Sequence, residues 1–281
     1  DTFVWREVLA EGSVSPHFNS AEFWRERKEF MTAYFSLQNG QYESEVLIPF
    51  QQMEEQLEDY TEICLWFEYD LFCQINMIAL IHWLEEKRLP GQTISLICSG
   101  KTENSAALKG LGELSAKDYV KLHSNRLKLN TREFEFASDV YAAYCSSSPQ
   151  SLFTYTIIPS DEFIYLSEAI RTHYRRFPYK GIGLNEIEQQ IITLIQEGID
   201  QHGKLIANML AWQTIYGFGD LQYYKILERL KPLFEDFEKL QLNPDFKMIS
   251  LSIDRAYMLG GTEVSQWEFD PETQDLISAN L

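Results

Sequence analysis

The stretch EICLWFEYDLFCQINMIALIHWLEEK, residues 62–87, holds the firmest structural signal in this chain. Glu62 to Tyr69 is a near-continuous apolar run of strand length. Asp70 follows, and Leu71 to Lys87 has helical length and an apolar face. Pro90-Gly91 then breaks the chain before a second apolar run, Thr93 to Cys98, which ends at Ser99-Gly100. Near-continuous apolar strands separated by a helix predict a parallel sheet covered on both faces. The expected class is therefore α/β, with a Rossmann-like N-terminal layer.

Upstream, Phe3 to Leu9 (FVWREVL) is β-branched and aromatic and reads as another strand, ending before Gly12. The opening DTFVWREVL resembles the middle of a domain, so the first strand of the layer is expected to be missing upstream of Asp1. Ala21 to Leu37 reads as a helix with Phe23, Phe30 and Tyr34 on one face. Pro49 opens an acidic helical stretch through Tyr60. Downstream, a loop spans Lys101 to Gly112, and Ser115-Ala116-Lys117-Asp118 forms a capping box for a helix through Leu129. Helical segments are expected at about 132–145 and 160–176. Residues 178–183 (PYKGIG) read as a linker. Beyond it, Asn185 with Glu188 caps a helix, a short helix covers about Lys204 to Trp212, and Asp220 caps a third through about Leu233. MISLSI (residues 248–253) and AYMLGG (residues 256–261) look like a β-ribbon. Three helices and a ribbon suggest a winged-helix-like module. The expected organisation is a Rossmann-like domain over 1–130, a helical connector over 131–180 and a winged-helix-like domain over 181–281.

Composition narrows the function. The 281 residues carry a formal net charge of −18 and are 45% hydrophobic, a globular composition that argues against broad affinity for nucleic acid or anionic membrane. Residues 181–281 contain 7 Lys/Arg against 16 Asp/Glu, so the module whose fold most suggests DNA binding is itself acidic. Leu71 to Leu84 is too short to span a bilayer, which takes roughly 20 residues. No signal-peptide pattern opens the chain. Cys64, Cys73, Cys98 and Cys145 form no C-x-x-C pair and read as reduced thiols. The five histidines are scattered, so no metal site is assigned. A cytoplasmic location is expected.

Candidate site residues lie where strands end, because open α/β sheets bind ligands at the carboxyl ends of their strands. Trp66, Glu68 and Asp70, with Gln74 one helical turn on, form the strongest group. Asp70 has the alternative role of capping the helix. Arg6, Glu7, Glu11 and Gly12 would reach the same rim, as would Ser99 and Gly100. Carboxylates so grouped suit acid–base work or Mg²⁺. Gly110-Leu111-Gly112 has G-x-G spacing without a strand leading into it. Arg171, Arg175 and Arg176, with His173 and Lys180, form a basic cluster suited to phosphate or an acidic segment. The bland alternative is a helix C-terminus favoured by cations. No G-x-S-x-G is present, and Cys98-Ser99 has no histidine assignable to it.

Five segments resemble one family as a set: VWREVLAEGSV, LWFEYDLFCQINMIALIHWL, GLGEL, RRFPYKGIGLN and YGFGDLQYYKILERLKPL. The chain is similar over most of its length to the bacterial domain-of-unknown-function family 1835 with its C-terminal helical domain. Members begin with a strand and a G-D-S-type turn that this sequence lacks, and Ser13 stands at the family's usual proline. The resemblance implies a cytosolic bacterial protein with polar positions at Arg6, Glu7, Glu11, Gly12, Trp66, Glu68, Asp70, Gln74, Arg176, Asn185, Gly219 and Asp220. It carries no established activity and leaves any cofactor unassigned. Three functions follow as expectations. The first is a binding or regulatory protein for a small nucleotide or phosphate-type ligand, with protein contacts through the C-terminal domain. The second is a metal-assisted hydrolase or phosphoryl-transfer enzyme using the rim carboxylates. The third is a winged-helix transcription regulator.

Overall fold

A computed structural model describes residues 1–102, 107–158, 160–213 and 215–279. The Lys101–Gly112 loop therefore lies partly outside the described residues. Helix accounts for 51% of the chain and strand for 13%, and the strands form small mixed sheets rather than one large one.

In chain order the elements are β1 (Gly12–Ser13), α1 (Ala21–Phe35), α2 (Ile48–Glu55), β2 (Glu62–Phe67), α3 (Leu71–Lys87), β3 (Thr93–Cys98), α4 (Ala116–Ser124), β4 (Leu127–Lys128), α5 (Thr131–Tyr144), α6 (Gln150–Ile157) and α7 (Leu166–Tyr174). The second part adds α8 (Glu186–Gln196), α9 (His202–Trp212), α10 (Asp220–Arg229), β5 (Phe234–Asp236), β6 (Gln241–Leu242), α11 (Phe246–Ile249), β7 (Met258–Gly260), β8 (Thr262–Glu263), β9 (Trp267–Asp270) and β10 (Asp275–Ser278).

The β2–α3–β3 unit forms as its sequence requires. Strand β2 ends at Phe67, and Asp70 accepts a hydrogen bond from Cys73 N at 2.8 Å, starting α3. The helix is apolar nearly all round, and it packs against α5 and α7. Strands β2 and β3 run parallel in register from Glu62↔Thr93 to Phe67↔Cys98. Strand β4 closes the far side of β3 antiparallel, so the order is β2-β3-β4 and β2 is an edge strand.

Phe3 to Leu9 does not form the predicted strand. From Val8 to Glu11 the backbone acceptors go to side chains instead of a ladder. Arg27 donates to the carbonyls of Val8, Glu11 and Ser13, Tyr144 to that of Leu9, and Arg176 to that of Ala10. Trp5 sits among the rings of Phe18, Trp24 and Phe50. The predicted ribbon at 248–253 is also absent. Buried Ser250 and Ile253 lie three apart, while Met248 and Leu251 are exposed, a helical rather than an alternating pattern. The segment forms α11 and a 3₁₀ turn, held by the Ser250 hydroxyl donating to Ile182 O. The AYMLGG stretch does supply a strand, β7, in a hairpin with β8, and the other hairpins are β5–β6 and β9–β10. Helix α6 lies between the two helical segments that the sequence predicts at about 132–145 and 160–176.

The N-terminal and C-terminal segments meet directly. Strand β1 pairs parallel with β7, Gly12 opposite Leu259, and β7 pairs antiparallel with β8. Leu71 N and Phe72 N donate to the carbonyls of Ile215 and Tyr216 at 2.7 and 3.2 Å. A single buried apolar cluster extends from Leu9 to Leu276, across the boundaries expected near 130 and 180. Among the described residues, no helix is long and apolar enough to cross a membrane.

Candidate functional site

The carboxyl ends of β2 and β3 bring Glu68, Asp70, Gln74, Ser99 and Gly100 together, and the protein itself occupies them. The first three N–H groups of α3 are taken by Ile215, Tyr216 and the Asp70 side chain, so this helix start offers no open donors to an anion. Gly217 has φ +69°, and a Cβ there would overlap the Asp70 carboxylate, so the 215–219 loop closes tightly over that end. Glu68 accepts from Leu111 N at 2.8 Å, and a Cβ at Gly110 would come within 2.7 Å of its Oε2. This close approach, not phosphate binding, is what the glycine at the start of Gly110-Leu111-Gly112 provides. Gln74 donates to Glu68 O and to Cys98 Sγ. Gly100 lies against the Tyr165 ring, whose hydroxyl accepts from Lys101 N. Gln74 Oε1 and Ser99 Oγ are buried without partners.

Burial raises the Asp70 carboxyl to about 6, with Glu68 adding to the effect and the Cys73 N–H opposing it. Burial also pushes the Cys98 thiol up to about 12, the reverse of what a nucleophilic cysteine needs.

Glu7 and Glu11 belong elsewhere. Glu7 is fully buried, paired with Arg27 Nε at 2.5 Å and accepting from Tyr42 OH at 2.9 Å. Glu11 pairs with Arg176 at 2.8 Å. Gly12 has φ +73°, and a Cβ there would strike the Phe30 ring. Arg6 is exposed. The four carboxylates Glu7, Glu11, Glu68 and Asp70 are thus engaged by separate partners rather than by one another. Among the described residues, no three His, Cys, Asp or Glu side chains come together as a metal would require.

The predicted anion-binding cluster is likewise dispersed into intramolecular pairs. Arg171 pairs with Glu168, Arg175 with Glu168 and Glu186, Arg176 with Glu11, and Lys180 with Asp270. His173 is buried, and that burial, helped by Arg176, lowers its pKa to about 3.

The large cavity lies one step away, along the open edge of β2. It measures about 910 Å³. Its walls come from the N-terminal segment 1–5, from residues 49–57, from β2 itself and from α3. Trp66 is the one residue of the strand-end group that lines it, and Trp5, Tyr60 and Trp83 make it aromatic. Trp83 Nε1 is buried there without a partner. The carbonyls of Thr61 and Phe67 accept from Thr93 and Ser99, so they face β3. By alternation the N–H and C=O groups of Glu62, Cys64 and Trp66 face the cavity. The lining contains the carboxylates of Asp1 and Glu62 and no Lys or Arg. Sequence reasoning passed over this groove because an apolar run announces a strand without saying which of its edges is paired. The usable signal was the density of Trp and Phe in residues 3–5 and 66–72. Comparison with family models, curated proteins and solved structures finds no match to this chain.

Proposed function

We propose that this protein is a binding module that accepts an extended apolar segment of another polypeptide along β2. The observation that carries this reading is the coincidence of an unpaired strand edge with a 910 Å³ aromatic groove. An added strand would satisfy the outward backbone groups of Glu62, Cys64 and Trp66, while its alternate side chains would enter the groove. Side chains of residues 1–5 and 49–57 line the groove beside the edge, so a second copy would have to bring its own groove walls against them, and a single extended segment fits better. Its two carboxylates are already engaged, Glu62 by Arg126 and Asp1 by the Tyr60 hydroxyl, so an apolar, aromatic lining favours an uncharged apolar segment.

The Rossmann-like reading fits within this proposal: the parallel β2–α3–β3 unit becomes a larger parallel layer when a strand joins β2. So does the likeness to family 1835, with the cytoplasmic location it implies. Helices α8–α10, followed at once by the β5–β6 hairpin, support the winged-helix reading of the C-terminal part, used here as a scaffold. Its loop over α3 and its β7 strand beside β1 make it a partner of the N-terminal part.

The test uses a ten-residue peptide of alternating valine and threonine with a lysine at each end, and the same peptide N-methylated at alternate amides. Tryptophan fluorescence should report saturable binding of the first, with slowed amide exchange at Cys64 and Trp66. The methylated peptide should bind at least tenfold more weakly. Equal binding of both peptides would refute strand addition, and binding of neither would refute the proposal as a whole.

A further inference from the structure

A second cleft, of about 600 Å³, lies between the end of α10 and residues 253–257. Arg229 and Tyr257 line it. The Arg229 guanidinium sits 4.4 Å from the centre of the Tyr257 ring, and its Nη1 donates to Tyr34 OH at 3.1 Å. No other partner is present among the described residues. Its Nε is shut away from solvent and unpartnered, and so is the Tyr257 hydroxyl. The nearby carboxylates are already committed. Glu188 is held bidentately by Arg255 at 2.5 and 2.9 Å, and Glu11 by Arg176. The buried network of Glu11, Glu188, Arg176, Arg229 and Arg255 therefore holds three guanidiniums against two carboxylates.

A half-buried guanidinium using one of its five donors is poorly compensated for lost hydration. Its unused edge, Nε with Nη2, carries two parallel N–H groups, the fork that matches a planar oxyanion, and a ligand in the cleft reaches it by parting the Arg229 and Tyr257 side chains. We propose that this edge binds a carboxylate-bearing small molecule, with the Tyr257 hydroxyl as a further donor and Lys231 at the rim. A monoanion neutralises the single excess charge. Glu228 and Asp254, which also line the cleft, disfavour a dianion such as phosphate. Glu228 is paired with Lys225, and Asp254 caps Ala256 N.

The test is calorimetric titration of the whole chain with benzoate and, separately, with inorganic phosphate. Benzoate should bind saturably in the millimolar range. Arg229→Met should weaken that binding at least tenfold, and Tyr257→Phe, which keeps the ring under the guanidinium, should weaken it severalfold. Without anion, Arg229→Met should melt at or above the wild-type temperature, since it removes an unpaired cation. Overturning results are phosphate binding alone, no saturable binding of either anion, benzoate binding unchanged in both variants, or an Arg229→Met protein less stable than the wild type when anion is absent.

Discussion

Replacing Asp70 with Asn should stabilise the protein at neutral pH and leave it unchanged in acid. Asp70 is 6% exposed, caps α3 through Cys73 N, and is roofed by Gly217. Burial lifts its pKa from 3.8 to about 6. In the unfolded chain the group ionises near 3.8, so between about pH 4 and 6 the folded state holds the extra proton. Stability from this group is therefore fully present below pH 3.8 and falls as pH rises through 6. Moving the carboxyl from 3.8 to about 6 corresponds to a loss of up to about 3 kcal/mol above pH 7. Asparagine is as good an N-cap as aspartate and carries no charge to desolvate. Urea unfolding of both proteins at intervals from pH 3.5 to 8 should show a difference near zero at the acid end. That difference should grow to between 1 and about 3 kcal/mol in favour of the variant at pH 8. A variant destabilised by the same amount at every pH would refute the argument, because it would mean that the carboxylate is needed for geometry. A variant destabilised only above pH 6 would mean that the ionised form is bound favourably after all.

Gly217→Ala places a methyl group on the Asp70 carboxylate at a left-handed backbone position, and should lower stability by about 2 kcal/mol or more in urea unfolding. In Gly217→Ala/Asp70→Ala the loss should be partly relieved, since the overlap is removed and only the φ strain remains. Arg27→Lys should cost about 3 kcal/mol by the same assay, because one ammonium cannot serve Glu7 and the carbonyls of Val8, Glu11 and Ser13 at once. His173, buried and depressed to about 3, takes up protons in the unfolded chain below its ordinary value of 6.5. It therefore erodes stability as pH falls from 6.5 toward 3. His173→Phe, set among Tyr144 and Phe177, should shift acid unfolding followed by far-UV circular dichroism to lower pH.

What the sequence made legible is what neighbouring residues decide. The bounds of α3 and β3 follow from Asp70, Pro90-Gly91 and two apolar runs, and the structure reproduces both. The segment from Phe3 to Leu9 departs from the strand reading because its closing carbonyls, those of Val8 and Leu9, are taken by Arg27 and Tyr144, the second 135 positions away. Strand propensity carries no trace of such partners. The site was displaced for a related reason. The strand-end rule places ligands at the top of a sheet, and Glu68 and Asp70 do stand there. Whether the top is open depends on a loop more than 140 residues downstream, and whether an edge is open depends on strand order. The charge count has the same blind spot. A net charge of −18 treats every carboxylate as surface, yet Glu7, Glu11 and Glu188 are buried, each matched by a guanidinium from a distant segment. Once those pairs are set aside, the informative charge in this acidic protein is a positive one: Arg229, inside the network and without a carboxylate of its own among the described residues.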